Sequence, residues 1–426
     1  MAFIAFAGRA AYVMLETRHQ QFPGSPDASG PRRSLDEAWY TTAARNLAEG
    51  NGVKISYGGG PAVDDAQHPP FTAIALAPTA FFFDGDTPLR LTVALFGGVT
   101  VFVIGLAAAE VAGHRAGVIA AVIAAVYPNL WMNDGLVMSE TFAALLTAST
   151  VLFAYRFARR RSAFDAIAAG VAAGLAMLTR SELVLFVPLL VVPAILRAGL
   201  EWKRALRVAA ASVLASAIVV APWIIYNHTR FTKPVYLSYA DGDVLTGANC
   251  DPTYYGPLIG FVDNFCTIPN PTGDLSVDVS AKRTQAFDYM RGHLSRLPIV
   301  VAARVGRVWG AYRPVQMARI AESEGRPEWA SMLGWLMSWP LIALAIAGCV
   351  SLRRRGVQLL PLLAPAIVAT LNAAAFFGFV RHRIPAEVSI VVLAAVALDA
   401  WMRARARTRP GYQPRSASLT SSSPIS

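Results

Sequence analysis

Apolar residues in this chain run in long, nearly uninterrupted blocks rather than in the one-sided stripes of water-facing helices. The blocks fall at 89–112, 116–131, 137–155, 166–179, 183–196, 208–225, 332–350, 357–379 and 388–402. Several approach the ~20 residues with which a helix crosses a hydrocarbon core, and a segment apolar all round has no face to offer water. Two further apolar stretches are shorter. Ala2 to Leu15 carries Arg9 in its middle and is short for a crossing; no small-residue cleavage pattern follows it, so it is expected to be a span whose natural start lies upstream of Met1. Pro69 to Phe83 is the other. The pattern predicts an all-α polytopic membrane protein with about 10–11 transmembrane helices and amphipathic surface helices in its first external loop.

Composition agrees, since 55% of the 426 residues are hydrophobic and only 15% charged, more apolar than a soluble core requires. The net charge of +11 sits in short clusters: His114-Arg115, Arg156 with Arg159 to Arg161, Arg197 with Lys203, Arg204 and Arg207, Arg353 to Arg355, and Arg403, Arg405, Arg407 and Arg409. That is the positive-inside signature and not a nucleic-acid surface. One alternating topology places all five clusters in the cytosol and puts 16–88, 132–136, 180–182, 226–331 and 380–387 on the far side. Both ends of 69–83 then lie outside, which makes it a re-entrant or surface helix. The organisation expected is a first, truncated span at 1–15, an external loop with surface helices at 16–88, a transmembrane core at 89–225, an external loop at 226–331, C-terminal spans at 332–402, and a basic, disordered cytosolic tail at 403–426 that turns Ser-rich after Pro410. The cytosolic loops are too short for a Rossmann-type nucleotide domain. Cys250 and Cys266 share the polar segment 226–331 and suggest one disulfide outside the cytosol, with two free thiols as the alternative; Cys349 lies in an apolar run.

Candidate chemistry gathers on the far side. Ser34-Leu35-Asp36-Glu37 fits a capping box, Ser34 as N-cap and Glu37 at N3, with Leu35, Trp39, Ala43 and Leu47 on one face; both acids could simply serve a helix N-terminus. His68-Pro69-Pro70-Phe71 reads equally as a helix start or as part of a site. Glu140 could face a helix dipole, although an ionisable group at a membrane edge is costly without a partner. Arg180 and Glu182 are spaced to pair. Asp84-Gly85-Asp86 and Asp241-Gly242-Asp243 imitate a metal-binding Asp-x-Asp but read better as turns. Asn227-His228-Thr229 is a glycosylation sequon by pattern, without weight in a bacterium. Gly170 and Gly174 read as helix packing. In 299–312, Arg304 and Arg307 are expected at headgroup level on an interfacial helix.

Taken in order, Asp36-Glu37 with Tyr40, His68-Pro69-Pro70-Phe71, Tyr127-Pro128 with Ser139-Glu140-Thr141, Gly174 to Arg180, Pro222-Trp223 with Asn227, and Arg381-His382-Arg383-Ile384-Pro385 resemble the motif series of the glycosyltransferase C superfamily. The likeness is to the branch of protein O-mannosyltransferases and lipid A aminoarabinose transferases; His382 stands where that series usually has Tyr. The resemblance implies a multi-pass protein of the plasma membrane, in a bacterium, that moves a sugar from a polyprenyl-phosphate donor to an extracytoplasmic acceptor, which could be a protein, a glycolipid or a polysaccharide. Asp36 is then expected as base, with Glu37 and Glu140 positioning acceptor or sugar or holding a divalent cation. Tyr40 and His68 would contact substrate, and Arg180, Arg381 and Arg383 would take the phosphate. No cofactor is fixed by this reading and the metal question stays open. A transporter or flippase of a lipid-linked or anionic solute is the alternative, although the paired halves usual in transporters are not evident; an inactive relative that serves as an assembly partner is a third reading.

The charge parity is testable with reporter fusions. Fusions at Arg160 and Arg354 should read cytosolic and fusions near Asp65 and Asp278 external; a cytosolic signal at Asp278 would end this topology.

Overall fold

The computed structural model describes residues 1–16, 34–56, 62–266 and 274–407. The apolar blocks are helices. In order they are α1 (Ala2–Leu15), α2 (Leu35–Ala48), α3 (Phe71–Phe82), α4 (Thr87–Ala112), α5 (His114–Val126), the single turn α6 (Pro128–Trp131), α7 (Glu140–Arg160), α8 (Ala163–Met177), α9 (Val192–Leu196) and α10 (Trp202–His228). After these come α11 (Asp241–Ala248), α12 (Asp251–Tyr254), α13 (Leu275–Gly292), α14 (Leu297–Val308), α15 (Pro314–Glu322), α16 (Glu328–Arg354), α17 (Leu360–Ala375) and α18 (Ile384–Arg407). A two-stranded antiparallel ribbon pairs Lys54 with Asp64 and Ile55 with Val63. Among the described residues five helices are long and apolar enough to cross a membrane: Thr87–Ala112, Glu140–Arg160, Trp202–His228, Glu328–Arg354 and Val380–Ala406. Six shorter apolar helices accompany them, among them Phe71–Phe82 and the broken stretch Ser181–Leu196. That stretch carries Pro188 and Pro193, each without an N–H for a helix ladder, and passes from a 3₁₀ turn through a π turn into α9.

Small residues let the helices approach closely. Gly170 of α8 lies against α10, and a Cβ there would stand 2.1 Å from the Ser212 carbonyl oxygen. Ser212 Oγ donates to Ala166 O at 2.7 Å and Ser216 Oγ to Gly170 O at 2.6 Å. Hydroxyls bonded to a neighbouring helix backbone replace apolar contact where lipid supplies no hydrophobic drive.

Several local expectations change. Arg9 is not a charge stranded in a membrane span: it is buried, forms an ion pair with Asp134, and also donates to the Ala5 and Ala124 carbonyls. Ser34 caps α2 by accepting from Asp36 N at 3.1 Å, but Glu37 turns inward rather than closing the box, and Leu35 is exposed while Glu37 is buried. Asp84-Gly85-Asp86 is a turn, with Gly85 at φ +77° and Asp86 paired to Arg45. Asp241-Gly242-Asp243 is instead the first turn of α11, its acids paired with Arg283 and Lys282. Arg304 and Arg307 are not at headgroup level. Both are buried and hold carbonyls, Arg304 those of Ala248, Ala374 and Ala375, and Arg307 that of Ile259. Burial without a carboxylate on the guanidinium lowers Arg304 and Arg307 to about 10 each. These bonds tie the 240–322 segment to the C-terminal end of α17, where carbonyls lack helical partners. Cys250 and Cys266 are joined by a disulfide. Helix α18 runs on through Arg403 to Arg407, whereas Arg409 and the Ser-rich tail lie outside the described residues.

Gly170→Val should drive a side chain into the α10 backbone and destabilise the fold by about 1–3 kcal/mol, the usual cost of overpacking. A fall in thermal unfolding midpoint in detergent checks this; an unchanged midpoint would mean that α8 and α10 do not pack as described.

Candidate functional site

The chemistry-bearing residues lie at helix ends, which brings them to one level. The first turn of α2 supplies Asp36, and Tyr40 follows one turn on. The loop into α3 supplies His68. The start of α7 supplies Glu140, and Arg180 follows α8. The turn Ser323–Pro327 between α15 and α16 supplies Glu324 and Arg326, and a 3₁₀ turn at Val380–Arg383 supplies Arg381. Two of these anchors come from local chemistry: Ser34 fixes the start of α2 and acids favour first turns. Another is tertiary, as Phe71 N donates to Leu178 O at 2.8 Å and holds the start of α3 against the end of α8.

Arg381 is the hub. Its Nη1 donates to Asp36 Oδ2 at 2.8 Å and lies 3.7 Å from Glu140 Oε1, while its Nη2 faces Glu324 Oε1 at 3.5 Å. His68 Nε2 stands 3.4 Å from the other Asp36 oxygen. The His68 ring stacks on Tyr40 at 5.0 Å and meets the Trp39 edge at 5.0 Å. Glu140 Oε1 also faces Arg180 Nη1 at 3.3 Å and Arg326 Nη2 at 3.5 Å. Arg180 completes its set on Glu182 at 2.7 Å, and Arg326 on Glu324 Oε2 at 2.5 Å and Asn133 Oδ1 at 2.9 Å. Burial alone would push Asp36 up, but the Arg381 guanidinium and the His68 imidazole outweigh it and hold the carboxyl well below the usual range. Glu324 goes the other way: burial, reinforced by the Asp36 and Glu140 charges, raises it against the pull of Arg381 and Arg326.

The two expected acids part company. Asp36 keeps 22% of its side-chain surface exposed, while Glu37 keeps none and takes Arg90 Nη2 at 2.9 Å and Val137 N at 3.1 Å. Arg383 lies two residues beyond Arg381 but is held by Glu387 at 2.7 Å, and Tyr127 and Asn129 share that carboxylate. Asp36, Tyr40, His68, Glu140, Arg180 and Arg381 thus form one cluster, with Glu37 and Arg383 in flanking networks. Neither Glu324 nor Arg326 belongs to the motif series. Their signal is a run of charge, Glu322 to Arg326, directly ahead of an apolar block, where ionisable groups are costly unless partnered.

A cleft opens beside the cluster, with Met132, Met317, Ala321 and Trp335 among its apolar lining and Arg326, Arg381 and Arg383 among its charged lining. Among the described residues no three His, Cys, Asp or Glu side chains converge as a metal-ligand set. Each acid of the cluster faces a guanidinium.

Residues 67–226 match the family of dolichyl-phosphate-mannose-protein mannosyltransferases. Among curated proteins no sequence matches the chain. In fold it is similar to the oligosaccharyltransferase AglB of Archaeoglobus fulgidus, a structure in complex with an inhibitory peptide and a dolichol-phosphate, at 15% identity and a TM-score of 0.55 over 97% of this chain. The apo form of the Archaeoglobus enzyme gives 14% and 0.52, again over 97%. The chain spans about half the length of these proteins, 52% and 53%. The ArnT structure from Cupriavidus metallidurans bound to undecaprenyl phosphate aligns over 97% of this chain and 81% of its own, at 16% identity and a TM-score of 0.46.

The two carboxyls of opposite shift make a pH test. A depressed group contributes stability above its unfolded value and loses it only as pH falls through its lower folded value; a raised group is already protonated at pH values where Asp36 is still ionised. Acid titration followed by infrared carboxyl absorbance should therefore show Glu324 protonating ahead of Asp36. The earlier band should vanish in Glu324→Gln and persist in Asp36→Asn, and the reverse pattern would contradict the assignment.

Proposed function

We propose, on the premise that this is a membrane protein of the glycosyltransferase C superfamily, that it transfers a sugar from a polyprenyl-phosphate carrier to an acceptor hydroxyl on the extracytoplasmic face, with inversion at the anomeric carbon. One observation carries this reading most: a largely apolar cleft is lined by Arg326 and Arg381, and Arg381 also holds a half-buried carboxylate, Asp36. The cleft suits an isoprenoid tail, the guanidinium groups its phosphate, and the carboxylate an acceptor proton. Charge parity along the chain supports the outer face. The match to a dolichyl-phosphate-mannose-protein mannosyltransferase family over 67–226 supports a lipid-phosphate donor.

In the proposed step the acceptor oxygen attacks the anomeric carbon and its proton passes to Asp36. The bond from that carbon to the phosphate oxygen breaks, and its electron pair stays on the phosphate. Negative charge grows on that oxygen in the transition state, where the preorganised Arg326 and Arg381 stabilise it. Arg381 couples the two halves. A phosphate on the other edge of its guanidinium shares the positive charge with Asp36, so the carboxylate's basicity is less strongly depressed when it takes the proton. Glu140 and Arg180 fix the geometry, and Tyr40 and His68 line the approach to Asp36.

Asp36→Asn keeps shape and removes the proton acceptor, so insertion and folding should survive while turnover falls by about 10²–10⁴. Arg381→Ala should weaken donor binding as well as turnover, because the phosphate is present in the ground state too. Transfer of radiolabelled sugar from polyprenyl-phosphate donors to membrane acceptors measures both. Near-normal transfer by Asp36→Asn would sink the base assignment, and a protein that moved the lipid without forming a glycosidic bond would be a transporter.

A further inference from the structure

We infer that Glu324 is a stand-in for the donor phosphate: its carboxylate bridges Arg326 and Arg381 and turns aside when the donor arrives. This rests on the lipid-phosphate reading above and adds to it the residue that the phosphate must displace.

The geometry points to this residue. Glu324 uses both oxygens, Oε2 on Arg326 Nη1 at 2.5 Å and Oε1 facing Arg381 Nη2 at 3.5 Å. These nitrogens belong to two of the three guanidinium groups that line the cleft, the third, Arg383, being held by Glu387, and a carboxylate spans them much as two phosphate oxygens would. Three of the other nitrogens are committed elsewhere, Arg381 Nη1 to Asp36, Arg326 Nη2 to Glu140 and Arg326 Nε to Asn133, while Arg381 Nε is buried without a hydrogen-bond partner. Removal of Glu324 thus frees one edge of each arginine without disturbing Asp36.

Charge balance requires an acid to yield. Side chains of the cluster apart from the imidazole comprise the carboxylates of Asp36, Glu140, Glu182 and Glu324 against the guanidinium groups of Arg180, Arg326 and Arg381, already one negative charge in excess. A phosphate brought among them adds another in a site of low dielectric, where unbalanced charge is costly. Glu140 is poorly placed to leave, being 1% exposed, at the start of a membrane helix, and shared by three arginines. Asp36 is held on α2 by Arg381 and His68. Glu324 is 19% exposed and sits on the turn after α15, beside Gly325 at φ +85°, so its side chain can swing without unwinding a helix. It is also the acid of the cluster that most readily gives up its charge, through burial and the neighbouring carboxylates.

Binding of a synthetic polyprenyl monophosphate to the full chain in zwitterionic nanodiscs tests this, with wild type, Glu324→Gln, Glu324→Ala and Arg326→Gln compared. Both Glu324 variants should bind about two- to fivefold tighter than wild type, the range for releasing a competing ion pair, and Arg326→Gln should bind more weakly. In transfer assays Glu324→Gln should lower KM for the donor and also lower kcat, because the carboxylate no longer helps expel the product phosphate; a purely structural defect would raise KM. If wild type binds the lipid phosphate and both Glu324 variants bind it equally or more weakly, Glu324 merely supports the arginines and this inference is overturned while the donor site stands. If neither wild type nor any variant binds it, the donor reading itself fails and takes this one with it.

Discussion

The contact between Asp36 and Arg381 joins residues 345 positions apart, and the arrangement of the site depends on it. Asp36 opens a short surface helix, and Arg381 precedes the last long apolar helix. Through the same guanidinium, α7 and the turn ahead of α16 are drawn in by Glu140 and Glu324. Ion pairs of this kind add little net stability, because desolvation offsets most of the Coulomb gain; they do impose register, since an unmatched buried charge costs several kcal/mol. Apolar helices slide against one another with little preference in lipid, and a shared charge cluster at their ends leaves few arrangements in which every carboxylate meets a cation.

The same economy links structure to chemistry. Helices that bury small residues against each other, such as α8 and α10 at Gly170, Ser212 and Ser216, form the frame. Their ends carry the charges. The segment between α10 and α16, held by the disulfide and by Arg304 and Arg307 on backbone carbonyls, sets Glu324 and Arg326 over the cleft. Cluster and cleft share two arginines, so a ligand with an apolar tail and an anionic head would satisfy both at once.

The helical, membrane-spanning class was legible in the sequence, because uninterrupted apolar blocks and the clustering of Arg between them have few other causes. The motif series drew attention to Asp36, His68, Glu140, Arg180 and Arg381, which do converge. What sequence reading misplaced were polar residues whose partners are distant along the chain. Arg9 has its partner, Asp134, 125 positions further along the chain, and Arg304 and Arg307 read as interfacial because carbonyl acceptors leave no trace in a helical pattern. Glu37 fitted a capping box, yet Arg90 and Val137 N take it. Glu324 and Arg326 lie outside the motif series, in a short charged run around Gly325 that reads as a turn.

A cryo-electron microscopy structure of the protein with a polyprenyl monophosphate bound tests the central claim most directly. The account predicts the isoprenoid tail in the cleft beside Met317 and Trp335, and phosphate oxygens at about 2.7–2.9 Å from Arg326 and Arg381, the charge-assisted range, with Asp36 facing the phosphate's far side. A phosphate bound away from both arginines, or a cleft left unfilled while the lipid sits elsewhere on the protein, would contradict it.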